Sequence, residues 1–122
     1  MSDLEKIINE AWEIKDKIKP DSDKNLNDVI TEMIASLNEG KISIAEPQGN
    51  DWKINEWIQK GILLSFRINK RKIIGGPYNA WNDLEHLPGK TANWTEKDFE
   101  KAGFRMVPNC VVRNGSFIGK GA

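Results

Sequence analysis

The 122-residue sequence predicts an α+β fold: a helical N-terminal domain with a few short strands, followed by the first coil of a left-handed parallel β-helix. Three observations predict it. Two apolar stripes of helical period lie within residues 4–37. A third segment, 57–66, is apolar nearly all round. Near the C-terminus the period changes: a branched aliphatic returns after six residues, Val112 to Ile118, and so does a small residue, Ser116 to Ala122. A six-residue period marks a parallel β-helix, in which the aliphatic side chain points into the prism at each step. Taken alone, these residues leave a short glycine-rich tail as the alternative. The expected organisation is an α/β domain over 1–107 and the start of a β-helix, cut short, over 108–122, since a repeat coil needs stacked neighbours to bury its face.

The first helix has Ser2 as N-cap, with Glu5 at capping-box spacing. Its stripe is Leu4, Ile7, Ile8, Ala11, Ile14 and Ile18, and Pro20 stops it. Asp21-Ser22-Asp23 supplies turn and cap chemistry. Leu26, Val29, Ile30, Met33, Ile34 and Leu37 form the second stripe, and Gly40 suits a left-handed helix end. The short link between the two helices predicts an antiparallel hairpin. Ile42-Ser43-Ile44-Ala45 alternates like a strand, 47–51 reads as a turn, and Trp52 and Ile54 as the return strand. Asn55 suits the cap of a third helix over 56–68, which is buried on most sides or sits at an interface. Arg67, Lys70, Arg71 and Lys72 complement its C-terminal dipole. Residues 73–94 read as a long irregular connection, of the kind that is often functional. Thr95, with Asp98 three residues on, caps a short helix through Lys101. Gly103 ends that helix, and 104–107 read as a strand closed by Pro108.

Composition excludes several function classes. The hydrophobic share of 39% and charged share of 30% are those of a folded soluble domain, not of a disordered chain. Eighteen Lys+Arg balance 18 Asp+Glu, so the excess positive charge of a generic nucleic-acid or membrane binder is missing. No apolar run is long enough to span a bilayer, and the acidic start does not resemble a signal peptide. With Cys110 as the single cysteine, a cytoplasmic setting is expected. The zero net charge hides an asymmetry: residues 1–60 hold 8 basic and 13 acidic side chains, and residues 61–122 hold 10 and 5. The basic half suits an anionic substrate or the acidic half of a neighbouring subunit; two differently charged solvated faces are the plain alternative.

Three stretches carry a resemblance: Trp57-Ile58-Gln59-Lys60-Gly61-Ile62-Leu63-Leu64-Ser65-Phe66-Arg67-Ile68-Asn69, then Lys101-Ala102-Gly103-Phe104-Arg105-Met106-Val107-Pro108, then Val111-Val112-Arg113-Asn114-Gly115-Ser116-Phe117-Ile118. In this order and spacing the chain closely resembles the N-terminal region of tetrahydrodipicolinate N-succinyltransferases, over essentially its whole length. The resemblance implies a homotrimer whose subunits each hold an α/β N-terminal domain, a left-handed β-helix and a small C-terminal region. It implies transfer of succinyl from succinyl-CoA, a co-substrate rather than a bound cofactor, to the amino group of a ring-opened dicarboxylate. That step belongs to diaminopimelate and lysine biosynthesis. It further implies that Arg105, the arginine of Gly-Phe-Arg, binds the dicarboxylate. The family's substrate-binding aspartate and coenzyme A groove would fall beyond Ala122, so no catalytic residue is assigned and the 122 residues alone are expected to be inactive.

The chemistry of Arg105 suits that role. A planar guanidinium grips a carboxylate through two parallel hydrogen bonds and stays charged at any relevant pH. Its apolar flanks, Phe104 and Met106, predict partial desolvation. The alternative is a structural ion pair with an acid of the N-terminal helices. Two other function classes stay open: a free-standing interaction or oligomerisation module derived from such an enzyme, and a hexapeptide acyltransferase with another acceptor. His86, beside Glu85 and Asp83, reads as an exposed loop residue; one histidine and no cysteine cluster predict no metal site. Cys110 reads as a small buried hydrophobe rather than a nucleophile. Arg67, Lys70, Arg71 and Lys72 suit coenzyme A phosphates or a solvated helix end. The five tryptophans read as core and interface packing.

Overall fold

The computed structural model describes residues 3–76, 78–84 and 89–122. Helices α1 (Asp3–Glu13), α2 (Lys24–Asn38) and α3 (Glu56–Ile68) carry the predicted stripes and pack on one another. Their apolar faces supply the core, with Ile8, Ile30, Met33, Ile58 and Leu64 almost wholly buried. Each such side chain contributes about 1.5–3 kcal/mol relative to exposure. Gly61 lies where the three helices meet: a Cβ there would stand 2.8 Å from Met33 Cε and 3.2 Å from Ile8 Cδ1. The smallest residue therefore lets α3 close on α1 and α2.

Helix α1 is shorter than its stripe. It ends at Glu13, and a 3₁₀ turn, Lys15–Lys17, follows. The reason is local: Ile14 N–H bonds Ala11 O at 3.1 Å, Lys17 N–H bonds Ile14 O at 2.9 Å, and Ile18 N–H bonds Lys15 O at 3.2 Å. This tighter winding leaves Ile14 54% exposed, while Ile18 still joins the core. The Ser2 cap lies outside the described residues. Helix α2 begins where Asp23 accepts Leu26 N–H at 3.1 Å. It ends in a Schellman motif: Gly40 N–H bonds Leu37 O at 3.0 Å and Lys41 N–H bonds Ser36 O at 2.9 Å, with Gly40 at φ 72°.

The strand expected at 42–45 is displaced toward the C-terminus. Ile42 and Ile44 are spent packing on the core, and pairing starts later. β1 (Ala45–Gln48) and β2 (Asp51–Ile54) form an antiparallel hairpin around a two-residue turn, with Gln48 opposite Asp51. The return strand is as predicted; the turn is tighter. Asn55 precedes α3 but makes no side-chain cap: its Nδ2 donates to Ser43 O at 2.8 Å instead, tying the hairpin's base to the helix.

The irregular connection expected at 73–94 contains a second antiparallel hairpin, β3 (Arg71–Gly75) and β4 (Ala80–Leu84), with Ile74 opposite Trp81. Arg71 and Lys72 are therefore strand residues rather than a helix end. α4 (Glu96–Ala102) has the predicted capping box between Thr95 and Asp98, and Gly103 ends it at φ 70°. Residues 104–107 run without regular strand pairing, so the expected strand is not formed as such. Residues 108–122 hold turns and one bridge, Gly89 to Arg113, rather than a regular strand.

Candidate functional site

The site begins with three aromatic rings. Trp94, Phe99 and Phe104 pack with centroids 5.1 Å (Trp94–Phe99), 5.7 Å (Trp94–Phe104) and 6.1 Å (Phe99–Phe104) apart. They hold α4 and anchor the stretch that leaves it. Arg105 follows directly. Its backbone N–H donates to Ala122 O at 3.2 Å, and its side chain is exposed, with no carboxylate in ion-pair reach among the described residues. The desolvation expected for Arg105 is thus not met within this chain, and neither is the alternative of an ion pair to the helices.

Around Arg105 the backbone keeps a strict beat. Gly103, Asn109, Gly115 and Gly121 all have positive φ (70°, 69°, 102° and 91°) and stand six residues apart. Turns fall at the same places. Met106, Val112 and Ile118, also six apart, are each half-buried between exposed neighbours. After three such steps the chain returns over its start, where Gly121 N–H donates to Gly103 O at 2.6 Å. Sequence reading found Val112 and Ile118 but missed Met106, whose spacing was there to be counted. It could not find Asn109, the one non-glycine corner.

The other candidates separate. Arg67 and Lys70 meet Asp16 and Asp21 at 3.5 Å, so two of the four clustered cations face acids of the N-terminal half. Cys110 is exposed rather than buried, and directly follows the turn at 108–109. None of the five tryptophans is fully buried: Trp12 and Trp57 lie against the core, Trp94 joins the aromatic cluster, and Trp52 and Trp81 are exposed. His86 lies outside the described residues. Among the described residues no group of three His, Cys, Asp or Glu is placed to hold a metal ion, and no helix is long and apolar enough to cross a membrane.

Sequence reading missed two polar contacts here. Arg113 bonds Asp83 at 2.5 Å beside a cavity of about 600 Å³ walled by Ile74, Trp81, Val111 and Val112. Lys90 Nζ donates to both Asn38 O and Asn38 Oδ1 at 2.8 Å, and burial holds its ammonium below the usual lysine range.

Fold and site together define a class: a helical α+β domain that hands the chain to a six-residue beat, with an exposed arginine at the seam. Comparison with known proteins gives the family. Residues 3–68, more than half of the chain, match the family model described as tetrahydrodipicolinate N-succinyltransferase N-terminal, and the chain belongs to that family. Relatives bearing the name 2,3,4,5-tetrahydropyridine-2,6-dicarboxylate N-succinyltransferase match along its length. The protein of Pelagibacter ubique is 52% identical over 123 residues, covering 100% of this chain and 45% of its own. Those of Rickettsia typhi and Paracoccus denitrificans are 43% and 39% identical, covering 98% and 97% of this chain and 44% and 43% of their own. The chain therefore spans less than half the length of these relatives.

Proposed function

We propose that the chain is the N-terminal portion of a succinyl-CoA-dependent N-succinyltransferase acting on tetrahydrodipicolinate, in the cytoplasmic route to diaminopimelate and lysine. The relatives' shared name supports the activity. The six-residue beat supports the architecture: an α/β domain over 1–107, then the first coil of a left-handed β-helix from 108, in a homotrimer. The carrying observation is Arg105, an exposed guanidinium with no acid partner among the described residues, at the seam between the two parts.

In this reading Arg105 holds one carboxylate of the acceptor by a bidentate pair. Succinyl-CoA supplies an activated thioester. The acceptor's amine attacks the thioester carbonyl, the C–S bond breaks, and coenzyme A leaves as the thiol with the proton the amine releases. Most of the acceleration comes from holding the two substrates in line. This chain's part is to bind and orient the dicarboxylate.

The test is Arg105→Ala in a polypeptide carrying these residues at the relatives' full length. KM for the dicarboxylate is expected to rise about tenfold to a hundredfold, for a charge-assisted pair worth about 1.5–3 kcal/mol, while KM for succinyl-CoA stays put. An unchanged dicarboxylate KM overturns the assignment.

A further inference from the structure

The geometry points to Asn38 and Lys90 as positioning residues, a hydrogen-bonded clasp that fixes the segment carrying Arg105 against the end of α2. The inference rests on the proposed role of Arg105. Asn38 is the last residue of α2, so its backbone carbonyl has no partner within the helix. Lys90 supplies one: Nζ donates to Asn38 O and to Asn38 Oδ1, both at 2.8 Å. Asn38 Oδ1 also accepts Gly115 N–H at 3.1 Å. Gly115 is one of the positive-φ corners. A single side-chain oxygen thus joins the helix, the loop after β4 and the coil.

Lys90 reaches the same segment through its backbone, where its N–H donates to Val112 O at 2.7 Å. Its ammonium lies 5.9 Å from the Trp94 ring centroid and has no carboxylate in ion-pair reach among the described residues. It is held by neutral acceptors and an aromatic face, the arrangement of a structural pin. Phe117 completes the seat: a Cβ on Gly40 would stand 2.7 Å from its Cδ2, so the ring lies flush on the end of α2. The coil is closed on itself by Gly121 to Gly103 and Arg105 to Ala122. Fixing corner 115 therefore fixes the edge that bears Arg105.

Amide hydrogen exchange on the 122-residue chain tests this. Asn38→Leu is expected to speed exchange at Gly115, Gly121 and Arg105 together by about tenfold, leaving core amides such as Met33 and Leu64 unchanged. Asn38→Asp keeps an acceptor oxygen for Lys90 Nζ and Gly115 N–H and is expected to retain protection at all three amides. Lys90→Met is the second variant and gives the same pattern should Asn38→Leu fail to fold. Faster exchange at Gly115 alone, with Arg105 and Gly121 still protected, overturns the clasp. In the full-length polypeptide Asn38→Leu is expected to raise KM for the dicarboxylate and not for succinyl-CoA. If Arg105→Ala leaves that KM intact while the exchange pattern appears, the role of Arg105 has failed and the clasp stands.

Discussion

Asp98 shows what one carboxylate contributes at a helix start. It accepts Thr95 N–H at 2.7 Å and the Thr95 hydroxyl at 3.0 Å. The backbone bond first, then the hydroxyl bond, hold its carboxyl below the usual 3.8; burial opposes them, and the charge of Lys101 adds the smallest lowering effect. A carboxylate whose pKa is lowered by folding stabilises the fold at every pH above its ordinary value. That contribution disappears as pH falls from 3.8 through the lower folded value. Asp98→Asn removes the charge and keeps an acceptor. We expect α4 amides in the variant to be less protected at neutral pH and to lose little more on acidification, whereas the parent loses protection below pH 3.8. Exchange rates across an acid series decide it; identical acid limbs in the two proteins would sink the account.

At the scale of elements, the three helices were written in the sequence and the strands mostly were not. The stripes of α1, α2 and α3 are local patterns, repeated over ten or more residues and punctuated by Pro20, Asp23 and Gly40. The hairpins are short and mostly exposed, so burial leaves no strict alternation along them. Ile42 and Ile44 alternate, yet tertiary packing claims them and pushes pairing on to Ala45. The crossing at Gly61 was equally invisible, since its meaning depends on Met33 and Ile8 from two other helices. Gly61→Ala gains up to about 1 kcal/mol in helix propensity. It also forces a methyl onto the Met33 thioether and within 3.2 Å of Ile8 Cδ1, an overpacking cost of about 1–3 kcal/mol. We expect net destabilisation of about 1 kcal/mol by urea denaturation. Combining it with Met33→Ala is expected to cost less than the sum of the two single changes, by at least about 0.5 kcal/mol. Strict additivity would mean that the crossing has slack.

On the scale of the whole molecule, Arg105 could be named as a candidate because a short motif carries it, whereas the contact between Lys90 and Asn38 could not be read. Lys90 and Asn38 are 52 positions apart, and nothing in either residue announces the other. The corner at Asn109 was hidden for a different reason: the sign of φ is a property of the folded backbone, and asparagine adopts either. The assembled picture also sets how much these 122 residues can do alone. Arg105 stands in water, and an exposed ion pair contributes about 0–1 kcal/mol. A dissociation constant of about 1 mM already needs about 4.1 kcal/mol. Holding the dicarboxylate well thus requires further walls that exclude solvent from the guanidinium, and the relatives are more than twice as long as this chain, which covers 43–45% of them. We therefore expect the purified 122-residue chain to bind the dicarboxylate more weakly than about 1 mM, by NMR titration. We expect it to release no thiol from succinyl-CoA in a dicarboxylate-dependent manner. Submillimolar binding would place a complete acceptor site within these residues, and acceptor-dependent thiol release would place the chemistry there too; either would displace the reading of Arg105 as one wall of a larger site.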